Sequence, residues 1–165
     1  MLLVGPSGAG KSTFAAHHFQ STEIVSSDRC RALICDDESN QAVTPAAFRL
    51  LHHIARVRLS LRCLTVIDAT NLHYSARRPL LRMARARRVP VVAFVFDVSI
   101  ETCLAHNARR AARRVPEAVI RQHHQEFLQA VARLRREGYA GIYLLDETNL
   151  HNVIIERWQL RQQRH

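Results

Sequence analysis

Lys11 is the only lysine in a chain whose other cationic side chains are all arginine. It stands in Gly5-Pro6-Ser7-Gly8-Ala9-Gly10-Lys11-Ser12-Thr13, which fits the pattern GxxxxGK[ST]. In a chain of this composition that pattern is expected by chance only about 10⁻⁴ times. Glycines in such a loop let backbone N–H groups converge on phosphate oxygens, and a following helix N-terminus adds partial positive charge. The lysine reaches the β- and γ-phosphates of a nucleoside triphosphate, and the Ser12 hydroxyl ligates Mg²⁺. Gly5, Ser7, Gly8, Ala9, Gly10, Lys11, Ser12 and Thr13 are therefore the candidate nucleoside-triphosphate-binding residues. A lysine kept against an arginine bias suggests a place where a compact ammonium cannot be exchanged for a planar guanidinium. An ordinary glycine-rich turn is the alternative.

Other residues offer chemistry with less specific spacing. Asp68 ends an apolar run, as a carboxylate holding a water on Mg²⁺ would; many strands also end in Asp for turn reasons. Asp36 and Asp37 are rival carboxylates in a polar stretch. Arg109, Arg110, Arg113 and Arg114 form the densest cationic cluster, arginines closing over a transferring phosphoryl group or, as charge alone favours, a solvated helix face in an arginine-biased chain. Arg77, Arg78, Arg82, Arg85, Arg87 and Arg88 recur along one helical segment, as a phosphate-tracking stripe or as a solvated helix face. The histidines come as adjacent pairs (His17-His18, His52-His53, His123-His124) that point about 100° apart on a helix, and no Cys/His quartet has zinc spacing, so no histidine metal site is expected.

These residues need elements to position them. Residues 1–4 read as a buried strand and residues from 11 as a helix. Strands follow at 23–26, 64–68, 91–97 and 142–145, each a near-continuous apolar run. Helices are expected at 27–34, 45–61 (Phe48, Leu51, Ile54 and Leu61 on one face), 75–88, from about 100, 116–138 with Gly138 as C-cap, and 150–163. Residues 36–44 read as a surface loop. Strands alternating with helices predict an α/β fold of three α/β/α layers around a parallel sheet of about five strands. Ligands collect at the carboxyl ends of such strands, which lines up the Gly5–Ser12 loop with Asp28, Asp68 and Asp97. No repeat or linker is visible, so residues 1–165 are read as one domain beginning on its first strand without a leader.

Composition sets bounds. The 24 Lys+Arg against 14 Asp+Glu give +10, so anionic partners are expected. No apolar run is long enough for a membrane span, and Cys30, Cys35, Cys63 and Cys103 lack CxxC spacing. They read as reduced, mostly buried thiols of a cytoplasmic protein. Guanine-specific switches use Asn-Lys-x-Asp, which a chain with Lys11 alone cannot contain. Motor and transporter ATPases generally need larger domains or oligomeric partners, so the length argues weakly against them. A small phosphotransferase remains.

Beyond the loop, Ser26-Ser27-Asp28-Arg29-Cys30-Arg31, Val66-Ile67-Asp68-Ala69-Thr70-Asn71 and Asn107-x-x-Arg110-x-x-Arg113 follow in order. In these blocks the chain resembles the 5′-hydroxyl polynucleotide kinases, and among them the kinase domains of bacterial polynucleotide kinase–phosphatases of RNA end repair. Residues 36–38, 119–121 and 136–138 extend the likeness over nearly the whole chain. The resemblance implies a P-loop kinase with an arginine-bearing lid that moves the γ-phosphate of ATP, with Mg²⁺, to 5′-OH ends of RNA or DNA. It implies Asp28 as general base and Arg31 as ligand of the acceptor phosphate, with Thr70 and Asn71 at the acceptor mouth. Arg110 and Arg113 would close over the donor phosphates, with Asn107 at the lid's base. His106 stands where the family often has another arginine. Residue type agrees: Asp28 and Arg31, three apart, face one way on a helix, a carboxylate can take a hydroxyl's proton, and a guanidinium can fork onto phosphate. An N-cap Asp with a surface Arg is the bland reading of the same pair.

The phosphatase and ligase modules of the resembling proteins are absent from the chain, which makes it a free-standing or excised kinase, or one whose partners are separate chains. A kinase of small molecules and a non-catalytic module binding ATP and nucleic acid are the competing functions. The base pocket has no readable signature; Arg121, Tyr139 and Tyr143 are its candidates.

Overall fold

The apolar runs pair into one parallel sheet, and the polar segments between them become the helices and turns that cover it. The computed structural model describes residues 1–110 and 114–156. In chain order the elements are β1 (Leu2–Val4), α1 (Lys11–His18), β2 (Ile24–Ser26), α2 (Ser27–Cys35), α3 (Thr44–Ser60), β3 (Val66–Asp68), α4 (Tyr74–Ala86), β4 (Val92–Phe96), α5 (Ile100–Ala108), α6 (Glu117–Leu134) and β5 (Gly141–Leu145). The strand order is β2-β3-β1-β4-β5, all parallel. Leu3 pairs with Phe94 and Ser26 with Asp68, which brings the carboxyl ends of β2 and β3 level. The β1–β2 connection passes β3 to one side of the sheet and the β3–β4 connection passes β1 to the other, so a crevice opens at the carboxyl ends of β1 and β3.

Strand pleating divides the core. Leu2, Val4, Ile67 and Val95 face a layer with Cys30, Leu51, Leu80 and Phe127 from α2, α3, α4 and α6. Leu3, Val66, Phe94 and Phe96 face Phe14 and Ala15 of α1 and Cys103 of α5. This is the expected three-layer α/β/α fold. Among the described residues no helix is long and apolar enough to cross a membrane.

Several local expectations are corrected. Leu61 is 67% exposed, because α3 buries Ala47, Leu51 and Ala55 instead. The α6 helix stops at Leu134, and Gly138 (φ 80°) serves the turn into β5. Ile142, Tyr143 and Leu144 are exposed on β5, an edge strand with one neighbour. From residue 150 the described chain makes one 3₁₀ turn, Leu150–Asn152, and 153–156 are not helical; residues 157–163 of that expected helix lie outside the described residues. Two cysteines, Cys30 and Cys103, are buried, while Cys35 is half-buried and Cys63 exposed; all four are free thiols.

Candidate active site

The loop after β1 has its shape because two of its glycines cannot be anything else. Gly8 has φ 88°, and a Cβ there would lie 2.4 Å from the Cys103 carbonyl oxygen of α5. Gly10 has φ 87° and caps α1 with no side-chain hydrogen bond, so the first N–H groups of that helix stay directed into the crevice. Ala9 is buried, its N–H donating to the Pro6 carbonyl at 3.3 Å, and the Gly5 N–H donates to the Thr70 carbonyl at 3.0 Å. Lys11 is buried, its Nζ donating to the Gly5 and Pro6 carbonyls at 2.9 and 2.6 Å. Burial pushes this ammonium down to about 8, against the opposing pull of the Asp68 carboxylate. A polyanion in the crevice would restore its charge.

Beside it, Ser12 Oγ donates to Asp68 Oδ2 at 2.8 Å. Burial raises the Asp68 carboxyl above its ordinary value, which the Ser12 hydrogen bond and the Lys11 charge partly offset. With its proton engaged on Asp68, the Ser12 hydroxyl keeps its lone pairs for a cation. A hydroxyl and a desolvated acid side by side fit Mg²⁺.

The opposite wall is α2. Its N-cap is Ser26, whose side chain accepts from the Arg29 N–H, so Asp28 sits in the first turn and is not the cap. The Asp28 carboxylate is paired with the Arg31 guanidinium, and Arg31 Nε donates to the Glu38 carbonyl at 2.7 Å. Arg31 is only 4% exposed, a held cation and not a surface one. A cleft of about 230 Å³ separates the walls, lined by Ser7, Gly8, Gly10, Lys11, Ser12 and Thr13 on one side. Ser27, Asp28, Arg31, Asp68 and Thr70 line the other, and Arg110 reaches its rim. Asp36 and Asp37 do not line it; Asp37 Oδ1 accepts from the Ser39 N–H and hydroxyl in its own turn.

At the rim, the Asn107 amide donates to the Val115 carbonyl and accepts from the Val115 N–H, at 2.8 and 2.9 Å. One buried side chain thus joins both ends of the segment that carries Arg110. Arg113 lies outside the described residues. His106 Nδ1 contacts the Gly8 carbonyl at 2.8 Å.

Other expectations fail. Asn71 is 2% exposed, has φ 50°, and donates to the Leu3 carbonyl at 2.7 Å. It ties β1 to the loop after β3 and does not line the acceptor mouth. Arg77, from the supposed stripe, is fully buried: it pairs with Glu137 and donates to the Asn71 and Leu72 carbonyls at 2.7 Å. Arg85 donates to the Glu137 carbonyl. Asp97 is exposed at the end of β4, outside the cleft lining. Among the base-pocket candidates, Tyr143 stacks on Phe94 in the sheet, Tyr139 reaches Glu137, and Arg121 pairs with Glu117 on α6; none lines the cleft.

Sequence reasoning missed three contributors. His123 of α6 meets Ser7 Oγ through Nδ1 at 3.0 Å, half-buried, its imidazole held below the ordinary value mainly by burial. Phe48 and Thr44, one turn apart on α3, line the cleft with Gln41. A second cavity, about 520 Å³, lies across the phosphate loop between His17, His18, His106, Arg109, Arg110 and Leu150. The repeat of His52, Phe48 and Thr44 at four-residue spacing was readable; nothing local marks His123.

The family model AAA_33, described as an AAA domain, matches residues 1–134. The chain belongs to that family. No curated protein matches the chain. Among solved structures, a chain of the Pnkp1/Rnl/Hen1 RNA repair complex is similar at 20% identity and TM-score 0.68, covering 81% of this chain and 45% of that one. The family member described here thus spans less than half of that protein's length. A putative kinase from Chloroflexus aurantiacus is similar at 13% identity and TM-score 0.66, over 93% of this chain and 87% of that one. A gluconokinase from Sinorhizobium meliloti 1021 is similar at 15% identity and TM-score 0.56, over 92% and 84%. At these identities the likeness is one of fold, that of the P-loop kinases.

Proposed function

We propose that the chain is an ATP-dependent polynucleotide 5′-hydroxyl kinase that moves the γ-phosphate of ATP to 5′-OH ends of RNA or DNA. The observation that carries this reading is the Asp28–Arg31 pair, a half-buried carboxylate on a buried guanidinium, lining one cleft with the phosphate loop. A carboxylate alone would serve any alcohol. A buried guanidinium held beside it favours an acceptor that brings its own phosphate, as the first internucleotide linkage of a strand does. The likeness to a chain of an RNA repair complex adds support, and phosphatase and ligase modules on separate chains are the partners this reading implies.

In the proposed reaction Asp28 accepts the proton of the 5′-hydroxyl as its oxygen attacks the γ-phosphorus in line. A bond from the acceptor oxygen to the γ-phosphorus forms, and the bond to the β,γ-bridging oxygen breaks, releasing ADP. Lys11, the α1 N-terminus and Arg110 neutralise charge on the phosphates, and Arg113 is proposed to join Arg110. Thr70 borders the entering sugar. Mg²⁺, held by the Ser12 hydroxyl and through a water by Asp68, would screen the phosphate oxygens. Positioning and electrostatics supply the rate, with no covalent intermediate.

The test is transfer from [γ-³²P]ATP to matched acceptors: 5′-OH RNA, 5′-OH DNA, a nucleoside 3′-phosphate, and gluconate or shikimate. Label on the strands and the mononucleotide, with none on the sugar acids, is expected. Label on a sugar acid alone would replace the reading with that of a small-molecule kinase, and none on any acceptor would leave a binding module.

A further inference from the structure

Charged side chains (Lys11, Asp28, Arg31, Asp68, Arg110) and uncharged ones line the cleft together. If the acceptor hydroxyl is at Asp28 and its phosphate at Arg31, the nucleobase is left to an uncharged part of the lining. Besides Val115 and His123, that part is the start of α3, where Thr44 and Phe48 line the cleft together with Gln41. Phe48 is the one phenyl ring among the described residues that line it. Phe48 is half-buried. Behind it, His52 meets it edge-on, with centroids 6.1 Å apart and planes at 65°. The ring is therefore backed on the same helix face by another aromatic group.

We propose that Phe48 is the stacking platform for the nucleobase of the acceptor's 5′-terminal nucleotide. The inference rests on the polynucleotide reading and makes it more specific. An apolar ring gives a polyhydroxylated acid no partners for its hydroxyl groups, whereas every nucleobase has a π-face. Stacking alone does not read base edges, so the four bases are accepted within several-fold of one another. The platform acts on acceptor binding, away from the transferring phosphoryl group, and so governs KM more than kcat.

The test uses two 5′-OH oligonucleotides of one sequence, the second carrying an abasic tetrahydrofuran residue at its 5′ terminus. Wild-type kcat/KM should be higher on the base-bearing strand by about 5- to 150-fold, chiefly through KM, as expected for one stacked base. Phe48→Ala should bring the ratio to within about twofold of unity, and Phe48→Trp should keep it. Because the ratio is taken within each variant, a loss of correctly folded protein cancels. Equal wild-type rates on the two strands, or a ratio that survives Phe48→Ala, would overturn the platform while leaving the kinase assignment standing. Failure of wild-type protein to label either strand, with ATP turned over on a sugar acid, would overturn both.

Discussion

Burial of Lys11 makes nucleotide binding a proton-coupled event. In the nucleotide-free protein the ammonium titrates at about 8, below its ordinary 10.5, because desolvation outweighs the Asp68 charge. A bound triphosphate favours the charged form and returns the group at least to its ordinary range. The sign follows from linkage: in the window from about 8 to 10.5, free protein has lost a proton that the complex holds, so binding takes one up and affinity falls as pH rises. At pH 8.5 about three-quarters of the free protein is neutral at Lys11, so uptake is about 0.75 proton per nucleotide. Between pH 7.5 and 9.5 the same numbers weaken binding about 20-fold. Calorimetric titration with Mg²⁺–ATP at pH 8.5, in buffers of different ionisation enthalpy, reads the uptake directly. Lys11→Arg, whose guanidinium stays charged, should lower affinity and abolish the uptake. A wild-type enthalpy that does not change with buffer would refute the argument that burial holds this ammonium down.

Asp28→Asn should lower kcat about 10²- to 10⁴-fold, as for loss of a general base, with ATP affinity within twofold by titration. Gly8→Ala should lose nucleotide binding, since its Cβ would lie 2.4 Å from the Cys103 carbonyl at φ +88°; equilibrium binding checks it. Asn107→Ala removes both hydrogen bonds to Val115 and should raise the KM for ATP several-fold with little change in thermal stability. Oligonucleotide affinity should fall steeply between 50 and 200 mM salt, its logarithm falling linearly with the logarithm of salt concentration, and a flat dependence would show that the arginine surface only solubilises.

How far the chain could be read in advance depended on the range of each interaction. Apolar runs such as Leu2–Val4 and Val92–Phe96 made the strands and their layers legible, because burial of a strand needs only its own residues. The phosphate loop was legible for a like reason, as its glycines and lysine act on neighbouring backbone. Asn71 and Arg77 were misread because their polar side chains resolve inside the protein only through partners far along the chain, Leu3 and Glu137. Periodicity reports which face is apolar; it carries no record of a buried guanidinium meeting a carboxylate sixty residues on. Within the site, the Asp28–Arg31 pair was readable from helical spacing, and the structure adds the Glu38 carbonyl that holds Arg31 in place. His123 reached Ser7 from another layer, with no local pattern to announce it.

Arg77 and Glu137 cannot be exchanged singly without stranding a charge in the interior, at a cost of about 3–5 kcal/mol. Descent should therefore have kept them or swapped them together. Even a well-packed apolar substitute would orphan the carbonyls of Asn71 and Leu72, which Arg77 alone among the hydrogen bonds described here serves from its side chain. The position is thus locked twice, by its counter-ion and by the chain turn it braces one residue beyond Thr70. Drift in this lineage would sooner reach the rim of the cleft than the brace beneath it.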